Sequence, residues 1–404
     1  MKTIKNHFPI FKNNPDLVYL DSSASSQKPQ VVIDAVSEFY TNQYANIHRG
    51  IYDLSQNATD RYEEVREKVA QFIGARHVSE IVLTSGTTEA LNLVAFGWAK
   101  KKLQKGDIVV LSEMEHHSNI VPWLVLKKEI GIELVYLPMT KDFKLDYKKI
   151  ADAPQERIKL ISLTHASNVL GTINPLEEII SYFKKINPDM KICIDAAQSV
   201  PHMPVNVLNL GCDFLAFSSH KMLGSSGVGV LYAKKELLDE MEPHMFGGNM
   251  IRKVTKESVF WADTPDKFEA GTPNIEGVIG LGAAIDYLQE IGLDAIQKHE
   301  QELISYSLEM FKNKKNVTLF GPHSEDDRLG VFSFAIGNVH PHDTAEILNR
   351  LHIAVRTGHH CAQVLMTVLG VAGTARASLY LYNTKEDIDR LEEGIEEVKK
   401  TFKI

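Results

Sequence analysis

The sequence is short of cysteine, of long apolar runs and of surplus positive charge. Only three of its 404 residues are cysteine. Three thiols cannot all pair within one chain, and a reducing compartment would discourage disulfides in any case, so each cysteine needs its own explanation. No apolar run approaches the ~18 residues that a membrane span requires. The N-terminal MKTIKNHFPIFKNN also lacks the unbroken apolar stretch of a signal peptide, so a cytoplasmic location and no membrane partner are expected. Lys and Arg number 44 against 52 Asp and Glu, a formal charge of −8. Nucleic-acid binding needs clustered cations to displace counterions, so this balance points away from a nucleic-acid partner and toward a small molecule or a protein. Internal repeats, low-complexity tracts and Pro/Gly-rich linkers are lacking too. No G-x-G-x-x-G follows the first strand candidate, which removes a dinucleotide-binding reading.

What is present is the composition of a globular protein, 44% hydrophobic and 24% charged, and a length that suits two packed units. From about residue 80 to 232, short β-branched runs alternate with helical stretches: IVLT, DIVVLS, IELVYL, IKLISLT, KICIDA, FLAFSS and GVGVLYA. That alternation predicts an α/β fold with a mainly parallel, helix-covered sheet. Residues 283–312 form one long amphipathic stretch, followed by the strand candidates VTLF and GVFSFAI, and the domain junction is placed near it. From Thr384 to Ile404 the chain reads as a charged helix with Ile388, Leu391, Ile395 and Val398 on one stripe.

Four segments carry chemistry. In TSGTTEALNL, Thr84 to Leu93, a strand candidate ends in a turn of small residues and a helix begins. Backbone N–H groups there, with the hydroxyls of Thr87 and Thr88, can cradle a phosphate, although Ser and Thr also serve as ordinary helix caps. In ICIDAAQS, Asp195 ends an apolar strand, where open α/β sheets place ligands. Its carboxylate must be solvated, paired with a cation or used. In FSSHKMLGSSGVGVLY, Lys221 stands between a strand and a glycine-rich turn, as a solvated lysine or as one that attacks an aldehyde. In RTGHHCA, Cys361 is flanked by His359 and His360 with Arg356 close by, a basic setting that favours thiolate. Cys193 and Cys212 lie in apolar strings and read as small buried hydrophobes.

Together with ANIHRG, EMEHHSN and FEAGTPN, these strings resemble the group II, SufS-like cysteine desulfurases, which are fold-type I pyridoxal-phosphate (PLP) enzymes of the class V aminotransferase superfamily. The resemblance runs from about residue 8 to the C-terminus. It implies a large PLP-binding domain over 20–285 and a smaller α+β domain over 1–19 and 286–404 that carries the Cys361 loop. It implies pyridoxal 5'-phosphate as cofactor, with Lys221 forming the Schiff base, Asp195 meeting the ring nitrogen and Gln198 meeting the phenolic oxygen. Thr87, Thr88, Ser218 and His220 match phosphate-binding positions, and His116 matches the imidazole that stacks on the ring and shuttles a proton. His117 is left as structure. Arg376 of TARASLY matches the ligand of the substrate carboxylate, Asn168 of HASNVLG lies near substrate, and Arg356 is a further substrate-binding candidate. Thr272 of FEAGTPN matches a residue reaching the cofactor phosphate of a neighbouring subunit, which implies a homodimer.

The reaction so implied takes sulfur from L-cysteine onto Cys361 as a persulfide and releases alanine, for delivery to an acceptor in iron-sulfur cluster assembly. Selenocysteine is a second candidate substrate. The string HPHD, with His340 and His342 in an expected loop, resembles desulfurases served by a zinc-containing SufU-like acceptor, in which the matching histidine takes over a zinc position; a SufE-like acceptor is the alternative. The zinc belongs to that partner, so no metal is expected on this chain. Val364, where a proline is frequent, and Asn249, where Glu or Ser is usual, depart from the family strings. Competing readings are another PLP enzyme of this fold, such as an aminotransferase or a C–S lyase, with Cys361 incidental, and a catalytically silent protein that keeps only the fold.

Overall fold

The computed structural model describes residues 4–312 and 314–404. Residues 1–3 and 313, which the expected small domain includes, lie outside the described residues. All seven apolar runs between residues 80 and 233 form strands: β1 (Ile81–Thr84), β2 (Ile108–Ser112), β3 (Glu133–Leu137), β4 (Ile158–Thr164), β5 (Lys191–Asp195), β6 (Phe214–Ser218) and β7 (Gly229–Ala233). They make one sheet in the order β1-β7-β6-β5-β4-β2-β3. Pairing is parallel except that β7 runs antiparallel to both its neighbours.

Because successive side chains of a strand point to opposite faces, each run feeds two cores. Val110, Ile161, Ile194, Leu215 and Val230 pack on one side. Val109, Leu111, Leu160, Cys193, Phe214 and Leu231 pack on the other. Covering both faces is why the central strands read as continuous apolar runs rather than as alternating ones. Cys193 and Cys212 are buried, as the sequence implies, and burial pushes both thiols upward, Cys212 to about 12.

A second, antiparallel sheet has the order β8-β9-β11-β10, formed by β8 (Val317–Phe320), β9 (Val331–Ile336), β10 (Arg356–Gly358) and β11 (Thr374–Ser378). Its core includes Phe332, Phe334 and Ala377 with Ile388, Leu391, Ile395 and Val398 of the C-terminal helix Lys385–Phe402. Thr384 and Asp387 form a capping box at the start of that helix. The single amphipathic stretch expected over 283–312 is two helices, Ile275–Ile291 and Leu293–Phe311. Gly292 separates them at φ 85°, a left-handed conformation that glycine adopts without strain.

One N-terminal connection matters for the site. Val18–Tyr19 pairs in parallel with Ile353–Ala354, and Asp21 bridges to Ser378. This carries Asp21 to the strands that bear Arg356 and Arg376.

Candidate active site

The C-terminal ends of β4, β5 and β6 open onto a cavity of about 680 Å³, closed on the far side by the segment 356–361 and by Arg376. Thirteen of the fourteen residues singled out in the sequence line it: Thr87, Thr88, His116, Asn168, Asp195, Gln198, Ser218, His220, Lys221, His342, Arg356, Cys361 and Arg376. Thr272 does not; it is exposed, outside the cavity. A second cavity of about 670 Å³, lined by Phe72, Leu176 and Met203 among others, offers no lysine, arginine or cysteine and so cannot hold the same chemistry.

At the phosphate end, Thr87 N–H donates to Ser218 Oγ at 2.8 Å, and the two hydroxyls lie 2.6 Å apart. Thr88 Oγ1 lies 2.7 Å from Ser118 Oγ. This corner is tight because Gly229 has no side chain: a Cβ there would meet Gly86 Cα at 2.3 Å. Strand β7 therefore sets the Gly86–Thr87 turn against Ser218.

Asp195 ends β5 and is buried. Among the described residues its carboxylate accepts one hydrogen bond, from Ala197 N–H at 3.0 Å. Burial pushes it above the usual carboxylate range, against the pull of that N–H and of Lys221. A buried acid with so few donors fits the protonated ring nitrogen of a pyridine cofactor. Lys221 follows β6, and burial pushes its amine down to about 8, with Asp195 opposing. That raises the fraction carrying a free lone pair, which attack on an aldehyde requires. His116 is held down to about 3 by burial and then by Lys221, His117 and Arg376, so its imidazole is neutral. Its Nδ1 accepts from Ser118 N–H at 3.1 Å, which leaves the proton on Nε2. Gln198 donates through Nε2 to Ser23 O at 2.9 Å.

At the substrate end, Arg356 and Arg376 are register partners on β10 and β11. Arg356 grips Asp21 with Nε at 3.1 Å and Nη2 at 2.8 Å, and Arg376 reaches the same carboxylate with Nη2 at 3.3 Å. Arg376 Nη1 donates to Asn168 O at 2.9 Å, while its buried Nε has no partner among the described residues. Burial lowers this guanidinium to about 10, still charged at neutral pH. A charged, buried arginine with an unpartnered N–H suits a carboxylate ligand.

Cys361 is exposed at the cavity, and Asn168, expected near substrate, donates through Nδ2 to His360 O at 2.8 Å, one residue before the thiol. His342 lies at the start of a helix, Pro341–Arg350, rather than in the expected loop. The reason is that His340 caps it, its Nδ1 accepting from His342 N–H at 3.2 Å. Asn249 sits at φ 70°, a conformation that asparagine tolerates better than most residues. Val364 lies in the first turn of the helix Gln363–Leu369.

Sequence reasoning missed Asp21, which joins both arginines, and Glu115, buried beside His116 and pushed by burial up to about 7. Asp21 ends the apolar run LVYL, the same signal that found Asp195, and could have been found by it.

A seven-stranded α/β sheet, with a buried acid and a depressed lysine converging at the carboxyl ends of its strands, defines a fold-type I pyridoxal-phosphate enzyme. The sequence profile described as Aminotransferase class-V matches residues 18–391, and the chain belongs to that family. It is 50% identical over 402 residues to a probable cysteine desulfurase of Halalkalibacterium halodurans, covering 99% of this chain and 98% of that protein. It superposes on a cysteine desulfurase of Thermococcus onnurineus with a TM-score of 0.92 at 40% identity, covering 98% of this chain and 97% of that one. For a cysteine desulfurase of Escherichia coli the TM-score is 0.91 at 36% identity, covering 99% of this chain and 98% of that one. Among the described residues, no helix is long and apolar enough to cross a membrane.

Proposed function

We propose that this chain is a cysteine desulfurase that moves sulfur from L-cysteine to Cys361. The observation that carries this reading is a single exposed thiol opening onto the cavity that also holds Lys221, Asp195, His116 and Arg376. Pyridoxal phosphate, held by Thr87, Thr88, Ser218, His220, Asp195, Gln198 and Lys221, supplies an electron sink conjugated to the substrate's α-carbon. Arg376, oriented by Asp21, binds the α-carboxylate, and Arg356 narrows the same end. Lys221, as a free amine, takes the α-proton. Neutral His116 relays the substrate thiol proton, its Nδ1 giving up the Ser118 N–H as it takes the proton. Cys361 thiolate then attacks the substrate sulfur: the S–S bond forms as the Cβ–S bond breaks, and the released electron pair stays with the carbon that becomes the methyl of alanine. One thiol is exchanged for one persulfide, with no outside oxidant. Mass spectrometry of Cys361 after addition of L-cysteine tests this, the expected result being the gain of one sulfur atom. Pyruvate or a keto acid in place of alanine would instead identify a C–S lyase or an aminotransferase.

The finer features of the reading follow from the same resemblance. The SufS-like subtype, iron-sulfur cluster assembly as the destination and selenocysteine as a second substrate belong to this proposal, as does a cytoplasmic setting, which keeps Cys361 reduced. So does the division into 20–285 and the combination of 1–19 with 286–404, supported by the two separate sheets and by the pairing of Val18–Tyr19 with Ile353–Ala354, while the core on one face of the large sheet also takes in Phe8, Phe11 and Tyr382.

A homodimer is proposed from exposed Thr272, which the resemblance assigns to the phosphate site of a second copy, and from exposed apolar side chains such as Ile51, Phe246 and Phe260. Light scattering combined with turnover should find activity in the dimer, and a fully active monomer overturns this. The proposed acceptor is a zinc-containing SufU-like protein, supported by the placement of exposed His342 at the same cavity as Cys361. Neutral imidazole is a good zinc ligand and can displace a thiolate from the acceptor's zinc. His342→Ala is therefore expected to keep persulfide formation and lose at least about 10-fold of the stimulation by that acceptor, the lower end of the cost of losing a metal-site partner. Equal stimulation of both proteins, or strong stimulation by a zinc-free SufE-like acceptor, removes the zinc exchange.

A further inference from the structure

The segment that presents Cys361 is held in place by groups that the proposed chemistry does not use. His360 and Cys361 are consecutive non-glycine residues at φ 51° and 55°, a left-handed conformation that L-residues avoid unless their surroundings impose it. The helix that follows, Gln363–Leu369, begins after Ala362, which has no side-chain oxygen to cap it. The first N–H of that helix is satisfied from far along the chain: Gln363 N donates to His117 Nε2 at 3.0 Å. The backbone of the same histidine makes a second contact, His117 N donating to Cys361 O at 2.7 Å. One residue thus grips the chain on both sides of the thiol-bearing turn, with Asn168 on His360 O and His359 Nδ1 on Cys361 N–H completing the hold.

We propose that His117 is a positioning residue for the Cys361 thiol: it caps the helix Gln363–Leu369 in trans and fixes the left-handed turn that points the sulfur at the substrate. This rests on the reading of Cys361 as the sulfur acceptor. Capping needs an unprotonated Nε2, and burial, with the neighbouring charge of His359, pushes His117 below the usual imidazole range. The cluster is not better read as a metal centre. Ligand atoms of His117, His359 and Cys361 lie within 4.8 Å of one another, but one ring nitrogen of each histidine already accepts a backbone N–H. In a neutral ring the other nitrogen carries the proton, so a cation would have to break both hydrogen bonds.

The test uses the holoenzyme and single-turnover formation of the Cys361 persulfide. His117→Ala is expected to slow this step by about 10- to 100-fold, the scale of a misplacement of order 1 Å. The absorption change of the bound cofactor on adding L-cysteine, and KM, should stay near wild type, because His117 touches neither. His117→Gln places an oxygen near the position of Nε2 and should recover most of the rate. The inference is overturned by a wild-type rate in His117→Ala, by no recovery in His117→Gln, or by a loss that appears equally in the cofactor spectrum. Absence of persulfide in the wild-type enzyme would instead defeat the reading of Cys361 itself.

Discussion

Replacing Cys361 by alanine should abolish persulfide formation and lower alanine production by at least about 10³-fold, the scale on which enzymes respond to loss of a nucleophile. No other thiol can substitute, because Cys193 and Cys212 are both fully buried in the cores of the large sheet. The variant should still take up L-cysteine: Lys221, Arg376 and Asp21 are untouched, and Arg376 is anchored by Asn168 O and Asp21 rather than by the Cys361 side chain. The expected signature is a change in the absorption of the bound cofactor with no sulfur transfer and no sustained alanine. It is read by spectrophotometry and chromatography on the same sample. Alanine and sulfide released at the wild-type rate would show that the thiol is not the acceptor and would favour a lyase reading. The surrounding loop should survive, because its backbone is held by His117, Asn168 and His359 and not by the sulfur.

The sheet was legible because its central strands are buried on both faces and so appear as unbroken apolar runs, of which β4, β5 and β6 end at the cavity. IVVLS, IKLISLT and FLAFS needed no tertiary information to be read as strands. Their order in the sheet, β1-β7-β6-β5-β4-β2-β3, was not legible, because crossovers and the one antiparallel strand are set by helix packing rather than by local pattern. Strands β10 and β11 escaped notice since RTG and TARAS carry arginines and small residues in place of a β-branched run. Those two arginines are stabilised by Asp21, more than 330 positions away in sequence. His117 hid for a similar reason. Its partner is a backbone N–H at Gln363, which has no signature in the string EMEHHSN. Individual chemical groups could be read where they end an apolar strand, as with Asp195 and Lys221, and could not be read where their role is to hold another segment's backbone.

Lys221→Ala should leave the fold intact and reduce turnover by about 10³-fold or more, at the upper part of the range for loss of a general base, since the α-proton then has no acceptor at that position. Asp195, Thr87 and Ser218 remain to bind the cofactor without a covalent link. The substitution also removes a group that the folded chain tolerates at some cost. Burial holds the Lys221 amine at about 8, against an ordinary value of 10.5. Between those two pH values the unfolded chain keeps this proton and the folded chain does not. Protons bound in the unfolded state then exceed those bound in the native state, and stability in the absence of cofactor rises with pH through that window. Below about pH 8 both states are protonated and the charged amine remains a burden to the fold. The cofactor-free variant should therefore lose this increment: its stability relative to wild type should be highest below pH 8 and decline toward pH 10.5. Denaturant melts of both proteins across that window, beside an alanine assay of the cofactor-loaded forms, separate the two claims. Alanine at the wild-type rate defeats the role of Lys221 as base. An unchanged pH dependence of stability defeats its placement as a desolvated amine facing Asp195.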